Sequence, residues 1–279
     1  MKIIQDITEM HSYSTRFRHE GKTIGFVPTM GALHQGHLSL LERAKEESDH
    51  VVISIFVNPS QFGPKEEYKQ YPRDIKGDTE KVNTAGADTL FMPSVSQIYP
   101  EGYSTFVEVE EVSDVMCGKV RPGHFRGVAT VVLKLFNIVR PHKAFFGQKD
   151  YQQTVIIRKM VNDLNLNAEI TVLPIIREAD GLAMSSRNQY LNQEERRSAT
   201  VLCLSLNEAR LLFDKGERSA DRLKDVIIRI FNSEPSAQLE YVAIVHPETL
   251  QEERNVQKGS VIALAARIGK TRVIDNIIL

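Results

Sequence analysis

Two histidines stand where an apolar run gives way to a helical pattern. In Pro28 to Ala44, PTMGALHQGHLSLLERA, His34 and His37 bracket Gly36, and Gly31 lies just upstream. A glycine turn between a strand and a helix lets backbone N–H groups and the helix dipole face an anion. Imidazoles at that point can donate to phosphate oxygens and stabilise charge developing on them. Two plainer readings compete: a metal pair, or ordinary core and surface histidines. A zinc site needs three or four ligands, and neither cysteines nor an HExxH pattern completes one here. Gly31 and Gly36 have P-loop spacing, but Gly36-His37-Leu38 replaces the Gly-Lys-Ser/Thr ending. Gly269–Thr271 has that ending, yet Leu264 occupies the place of the first glycine, so it reads as a hairpin turn.

Three more stretches carry chemistry. In FVNPSQFG, Gln61 falls just past the carboxyl end of a strand, where open α/β sheets bind ligands. Taken alone it reads as a polar turn residue, with Asn58-Pro59 simply ending the strand. In FFGQKDYQQ, Lys149 offers a point charge to phosphate; Asp150 can accept from ribose hydroxyls, cap the next helix, or do both. In MSSRN, Met184 to Asn188, two hydroxyls stand beside a guanidinium. A serine nucleophile would need a Gly-x-Ser-x-Gly elbow, which is missing, and a helix cap is the plain alternative. GKVRPGHFRGV, with Arg121, His124 and Arg126, reads either as a solvated loop or as a lid bringing a cation to substrate.

These residues need elements to hold them. TIGFVPT reads as a buried strand and HLSLLERAKEESD as a helix, with Leu38, Leu41 and Ala44 at helical spacing. HVVISIFVNP is the next strand, stopped by Asn58-Pro59. A polar helix, RDIKGDTEKVNTAG, and a short strand, ADTLFMPS, follow. GVATVVLKLFNIVRP is helical to Pro141, KAFFGQKD a strand and loop, YQQTVIIRKMVNDLN a helix, and AEITVLPII a strand. This alternation predicts an α/β, Rossmann-like parallel sheet over residues 1–176. Residues 177–279 read as a smaller α+β domain: amphipathic helices NQEERRSATVLCLSLNEARLLFDKG and SADRLKDVIIRIFNSE, then strands in QLEYVAIVHPETL and SVIALAARIGKTRVIDNIIL.

Composition narrows the class. The 279 residues carry 35 basic and 36 acidic side chains, net −1, which argues against a dedicated nucleic-acid surface. Cys117 and Cys203 make no disulfide framework and fit a reducing cytoplasm. The N-terminal stretch has no signal-peptide core, and no apolar run is long enough for a membrane span.

His-x-Gly-His after a strand resembles the signature of the nucleotidyltransferase superfamily, which includes class I aminoacyl-tRNA synthetases. PTMGALHQGHLSL, FVNPSQFG, YPRD, FFGQKDYQQ and READGLAMSSRN, in that order, are similar to the pantothenate synthetase (pantoate–β-alanine ligase) family. The resemblance implies ATP-dependent joining of pantoate to β-alanine through a pantoyl adenylate, giving pantothenate (vitamin B5, a coenzyme A precursor), AMP and pyrophosphate. It implies ATP contacts from Met30, Gly31, His34, His37, Gly147, Gln148, Lys149, Asp150, Ile176, Met184, Ser185, Ser186 and Arg187. Pantoate falls to Gln61 and Gln153, and the catalytic roles to His34, His37 and Lys149, His37 being the acid/base candidate. The second domain is expected to close over the ATP site. Mg²⁺ is expected largely on ATP itself, with Asp74 and Asp78 as secondary candidates. A cytoplasmic homodimer with small-molecule substrates, and neither nucleic-acid nor membrane partners, completes the expectation. A plain nucleotidyltransferase would keep His-x-Gly-His without needing Gln61 and Gln153; a nucleotide sensor would bind ATP without turnover.

Overall fold

The structure, a computed structural model, describes residues 1–63 and 68–279. In chain order its strands and helices are β1 (Lys2–Ile4), α1 (Ile7–His19), β2 (Ile24–Thr29), α2 (Gln35–Glu47), β3 (His50–Ile55), α3 (Ile75–Thr84), β4 (Thr89–Phe91), α4 (Val95–Ile98), α5 (Met116–Val120) and α6 (His124–Val139). Then come β5 (Lys143–Gly147), α7 (Tyr151–Asp163), β6 (Glu169–Leu173), α8 (Gln193–Ala199), α9 (Val201–Asp214), α10 (Ala220–Asn232), β7 (Ala237–Val245), β8 (Val261–Ile268) and β9 (Thr271–Ile278). They fall into two compact units. The first comprises residues 1–114, 118–147 and 156–173; the second comprises 115–117, 148–155 and 174–279.

The first unit is built on a parallel sheet in the order β1-β4-β3-β2-β5-β6. Continuous apolar strands suit such a sheet because helices cover both faces. His50 to Ser54 of β3 are all buried accordingly. From α2, Leu40, Leu41 and Ala44 pack on Val27, Val51, Ile53 and Phe145, with Leu38 partly buried beside them. The α6 helix is buried from Phe125 to Val139 on most of its surface and stops at Arg140, in a left-handed conformation just before Pro141. Sequence patterning left β1 and α1 unassigned: the strand spans only Lys2–Ile4, and α1 buries only Met10, Ser14 and Phe17.

Strand order decides where a ligand can sit. β2 pairs with β3 on one side and β5 on the other, so the chain reverses its direction across the sheet there. Crevices at such reversals, outside the carboxyl ends of the strands, are the ligand sites of open α/β sheets. The ends facing this crevice are Thr29 and Gly147.

The second unit carries an antiparallel sheet, β7-β8-β9, with β8 central. Leu223, Ile227 and Phe231 of α10, at i, i+4 spacing, and Leu202, Leu206, Ala209 and Phe213 of α9 pack on Ile262, Leu264 and Ala266. The stretch read as one helix from Asn192 to Gly216 is two, α8 and α9. Thr200 breaks it: its N–H and its hydroxyl both donate to Arg197 O, at 3.2 and 2.7 Å. A threonine that competes for the backbone in this way disturbs the helical ladder. Gly269-Lys270 forms the β8–β9 hairpin turn, with Gly269 at φ +56°, as its sequence suggested.

Candidate active site

The turn after β2 is strained and clamped. Gly31 and Ala32 both have positive φ, +82° and +51°. Such a conformation is ordinary for glycine and unfavourable for alanine. A side chain on Gly31 would come within 3.0 Å of Asp78 Oδ2. Asp78, 1% exposed, holds the turn by accepting from Ala32 N–H at 2.7 Å and Leu33 N–H at 2.8 Å. Lys81 Nζ closes the same corner on Leu33 O at 2.8 Å. This corrects part of the glycine-turn reading: the anion these two donors face is the protein's own carboxylate. It also gives Asp78 a structural occupation. Asp74 is occupied likewise, capping α3 by accepting from Gly77 N–H at 2.9 Å.

The two histidines start α2 together. Gly36 N–H donates to His34 Nδ1 at 3.2 Å, and His34 N–H donates to His37 Nδ1 at 3.3 Å. This is a capping box in which imidazoles do the work usually given to Ser or Thr and Glu or Gln. The rings lie 4.0 Å apart, centroid to centroid. Because each Nδ1 accepts, the proton of each neutral ring is on Nε2, which makes Nε2 a donor. Capping and phosphate binding therefore use different atoms of the same rings.

Gln61 lies at the end of a short 3₁₀ turn, Pro59–Gln61, after β3. Asn58, 1% exposed, fixes it. The Asn58 amide donates to Gln61 Oε1 and to Gly127 O, both at 3.0 Å. Its Oδ1 accepts from Tyr99 OH at 2.8 Å and Ser60 Oγ at 2.9 Å. With its oxygen engaged, Gln61 presents its NH₂ toward Met30 Sδ, 3.1 Å away, so the loops after β2 and β3 meet. Burial pushes the Tyr99 hydroxyl up to about 12. Only glycine fits at 127, since a Cβ would lie 2.3 Å from Ser60 O. The Arg121–Arg126 stretch is no simple solvated loop. His124 Nδ1 is 2.8 Å from Gln61 O, and Arg121 Nη1 is 3.0 Å from His124 Nε2.

The other predicted residues belong to the second unit, apart from Gly147, which ends β5 in the first. Gln148–Asp150 form a 3₁₀ turn, with Lys149 Nζ 3.9 Å from Asp150 Oδ2. Gln152 and Gln153 separate in role. Gln152, 6% exposed, accepts from Cys117 N–H at 3.0 Å and donates to Val115 O at 2.8 Å, anchoring the start of α5. Gln153 is only partly buried.

Ile176 and Met184 face each other across a hairpin, Met184 N–H donating to Ile176 O at 2.9 Å. Ser185 then caps the 3₁₀ turn Ser186–Tyr190, its hydroxyl accepting from Arg187 N–H at 3.2 Å. A cap for the helix over LNQEERR is therefore not the part Ser185 plays: that helix, α8, is capped by Asn192, and Ser185 caps only the short turn before it. Asn188, 8% exposed, ties that turn to Glu178 Oε1 at 2.7 Å and Ala183 O at 3.1 Å. Arg196 grips both Glu178 and Asp180, and its hydrogen bonds hold both carboxyls below their usual range. Sequence reasoning gave Asn58 only the part of ending a strand, assigned no role to Tyr99 or Asn188, and considered Asp78 only as a metal partner. Among the described residues no three of His, Cys, Asp and Glu gather as metal ligands, and no helix is long and apolar enough to cross a membrane.

The family profile described as pantoate-beta-alanine ligase matches residues 2–278. The pantothenate synthetase of Thermodesulfovibrio yellowstonii is 54% identical, with all of both chains aligned. That of Thermotoga neapolitana is 52% identical, also over all of both chains. Among solved structures, the pantothenate synthetase of Thermus thermophilus matches at TM-score 0.95 and 44% identity, covering 99% of each chain. The Francisella tularensis pantoate-beta-alanine ligase, complexed with beta-gamma ATP and beta-alanine, matches at TM-score 0.82 and 36% identity over 100% of this chain and 97% of its own. A parallel sheet reversing at β2, a paired-imidazole helix start beside it, and likeness along the whole chain place this protein in the pantoate–β-alanine ligase family.

Proposed function

We propose that the chain condenses pantoate with β-alanine at the expense of ATP, through a pantoyl adenylate. A pantoate carboxylate oxygen attacks the α-phosphorus and pyrophosphate leaves. The β-alanine amine then attacks the acyl carbon, loses a proton, and AMP leaves. No covalent enzyme intermediate is required, so rate enhancement comes from positioning and charge stabilisation. The observation that carries this reading is the two-histidine cap at the strand-order reversal. It commits both Nδ1 atoms to the backbone and leaves donation to Nε2, the chemistry needed where negative charge builds on phosphate oxygens.

In this reading Met30, Gly31, His34, His37, Gly147, Gln148, Lys149, Asp150, Ile176, Met184, Ser185, Ser186 and Arg187 bind ATP. His34, His37 and Lys149 act on the reacting phosphates, and His37 serves as acid/base group. Gln61 and Gln153 orient pantoate. The fixed Gln61 amide supports this, because Asn58 engages its oxygen and so sets its NH₂ as the donor that a carboxylate or hydroxyl oxygen needs. Mg²⁺ enters with the ATP phosphates, in keeping with the structural occupation of Asp74 and Asp78. The protein works as a cytoplasmic homodimer. The test is pyrophosphate exchange: labelled pyrophosphate should enter ATP with pantoate and Mg²⁺ present and β-alanine absent. ADP as the product would overturn the proposal.

A further inference from the structure

The last strand carries two adjacent buried polar residues that the sheet itself does not need. Asp275 is 1% exposed and Asn276 2% exposed. In register with β8, Asp275 sits opposite Leu264 and Asn276 opposite Ala263. Successive strand residues point to opposite faces, so one side chain goes to the helix-packed face and the other away from it. A buried amide or carboxylate lowers stability unless hydrogen bonds compensate for lost water. β-branched apolar residues would suit the strand better. The bonds these two make all lead to predicted ATP-binding segments or to each other.

Asn276 Nδ2 donates to Gln148 O and to Lys149 O, both at 3.0 Å. Gln148 Nε2 donates back to Asn276 Oδ1 at 3.1 Å. One amide therefore fixes the two consecutive peptides on either side of Lys149. Asp275 takes Arg177 in a two-pronged pair, Nη1 to Oδ2 at 2.6 Å and Nη2 to Oδ1 at 2.9 Å. Arg177 Nη1 also donates to Gly181 O at 2.9 Å, holding the hairpin that runs from Ile176 to Met184. Asp275 Oδ1 further accepts from Asn276 N–H at 2.8 Å, which joins the two grips.

We infer that Asp275 and Asn276 are positioning residues that set the Gln148–Asp150 turn and the Ile176–Arg187 segment from a single strand. Displacing either segment then disturbs the other through the Asp275–Asn276 backbone. The inference rests on the ATP-binding reading of those two segments.

The experiment compares Asn276→Ala and Arg177→Lys with the wild type. Steady-state KM is measured for ATP and for pantoate, and ATP affinity by titration calorimetry. Asn276→Ala leaves two carbonyls unpaired and should raise the ATP KM and Kd about 5- to 100-fold while leaving the pantoate KM within about twofold. Arg177→Lys keeps the charge, loses the two-pronged geometry, and should raise the same ATP constants by a smaller factor. It leaves β9 untouched, so it decides the matter if Asn276→Ala does not fold. Unchanged ATP constants, or ATP and pantoate constants rising in parallel, would overturn the inference. A wild type that exchanges no pyrophosphate would instead refute the proposed reaction. The positioning claim would then be judged on ATP affinity alone, in the same variants.

Discussion

The helix start at His34 in the first unit and the turn at Gln148 in the second are held by opposite means. In the first, His34 and His37 cap the helix they begin, so each imidazole is oriented by backbone two or three residues away. In the second, the Gln148–Lys149 backbone is oriented by Asn276, well over a hundred residues later in the chain. Short-range capping fixes a ring against its own helix and tolerates change elsewhere. Long-range clamping makes a turn depend on a strand far along the chain. Local damage should therefore act mainly on chemistry in the first unit. In the second, remote damage should act on nucleotide binding.

The strongest test of that contrast is His37→Ala, which should slow adenylate formation by about ten- to a thousandfold, the range for removing one charge-stabilising donor. ATP affinity should change much less. His34→Asn sharpens the point, because asparagine is a good cap that lacks the Nε2 donor. It should keep the urea midpoint near wild type and still lose rate. A variant with full activity would show that the ring serves only the helix.

Next in size is the split between the residues proposed for ATP and those proposed for pantoate. Lys149→Ala should weaken ATP binding with little effect on pantoate. Gln61→Ala and Gln153→Ala should weaken pantoate binding about 5- to 100-fold and spare ATP. Calorimetry with each ligand decides it, and glutamine variants that lose ATP but keep pantoate would reverse the assignment.

How much of this could be read from sequence follows the same divide. The strand–turn–helix around His34 and His37, and the α/β alternation that places it, rest on neighbours in the chain. The site's supports do not. Asp78 reaches back to Ala32 and Leu33, Tyr99 to Asn58, and Asn276 to Lys149, and none has a local signature. Gln152 and Gln153 show the limit most sharply. They are the same residue type side by side, and only burial distinguishes the one bonded to the α5 backbone. The family resemblance, not the spacing, pointed to Gln153.

A smaller effect concerns the strained turn. Asp78→Ala removes the acceptor for two backbone donors and should destabilise the protein by roughly 1–3 kcal/mol per donor left unpaired. Asp78→Asn retains one acceptor and should fall between that variant and wild type in urea midpoint. Equal midpoints for both variants and wild type would mean that the turn holds itself.

The smallest effect appears only in alkali. Each unit contains a tyrosine, Tyr99 or Tyr241, that burial pushes from 10.0 up to about 12. A raised folded-state value means that stability is complete below the unfolded value and drains away as pH rises through the folded one. The part of the urea midpoint that these tyrosines set should thus be flat below pH 10 and fall between pH 10 and about 12. Tyr99→Phe and Tyr241→Phe should each reduce the slope, and an unchanged slope in both would assign the alkaline loss to other groups.

The chain's division also bears on recombination between relatives. Residues 148–155 lie between stretches of the first unit yet group with residues 174–279. A crossover placed after 173 would look clean on a linear map, but it would graft a foreign Asn276 onto a native Gln148–Lys149 turn. Chimeras that exchange 115–117, 148–155 and 174–279 as one block inherit the clamp and its target from the same parent. Shuffled libraries should therefore recover active enzymes more often from that discontinuous exchange than from a single cut, even though it introduces more junctions.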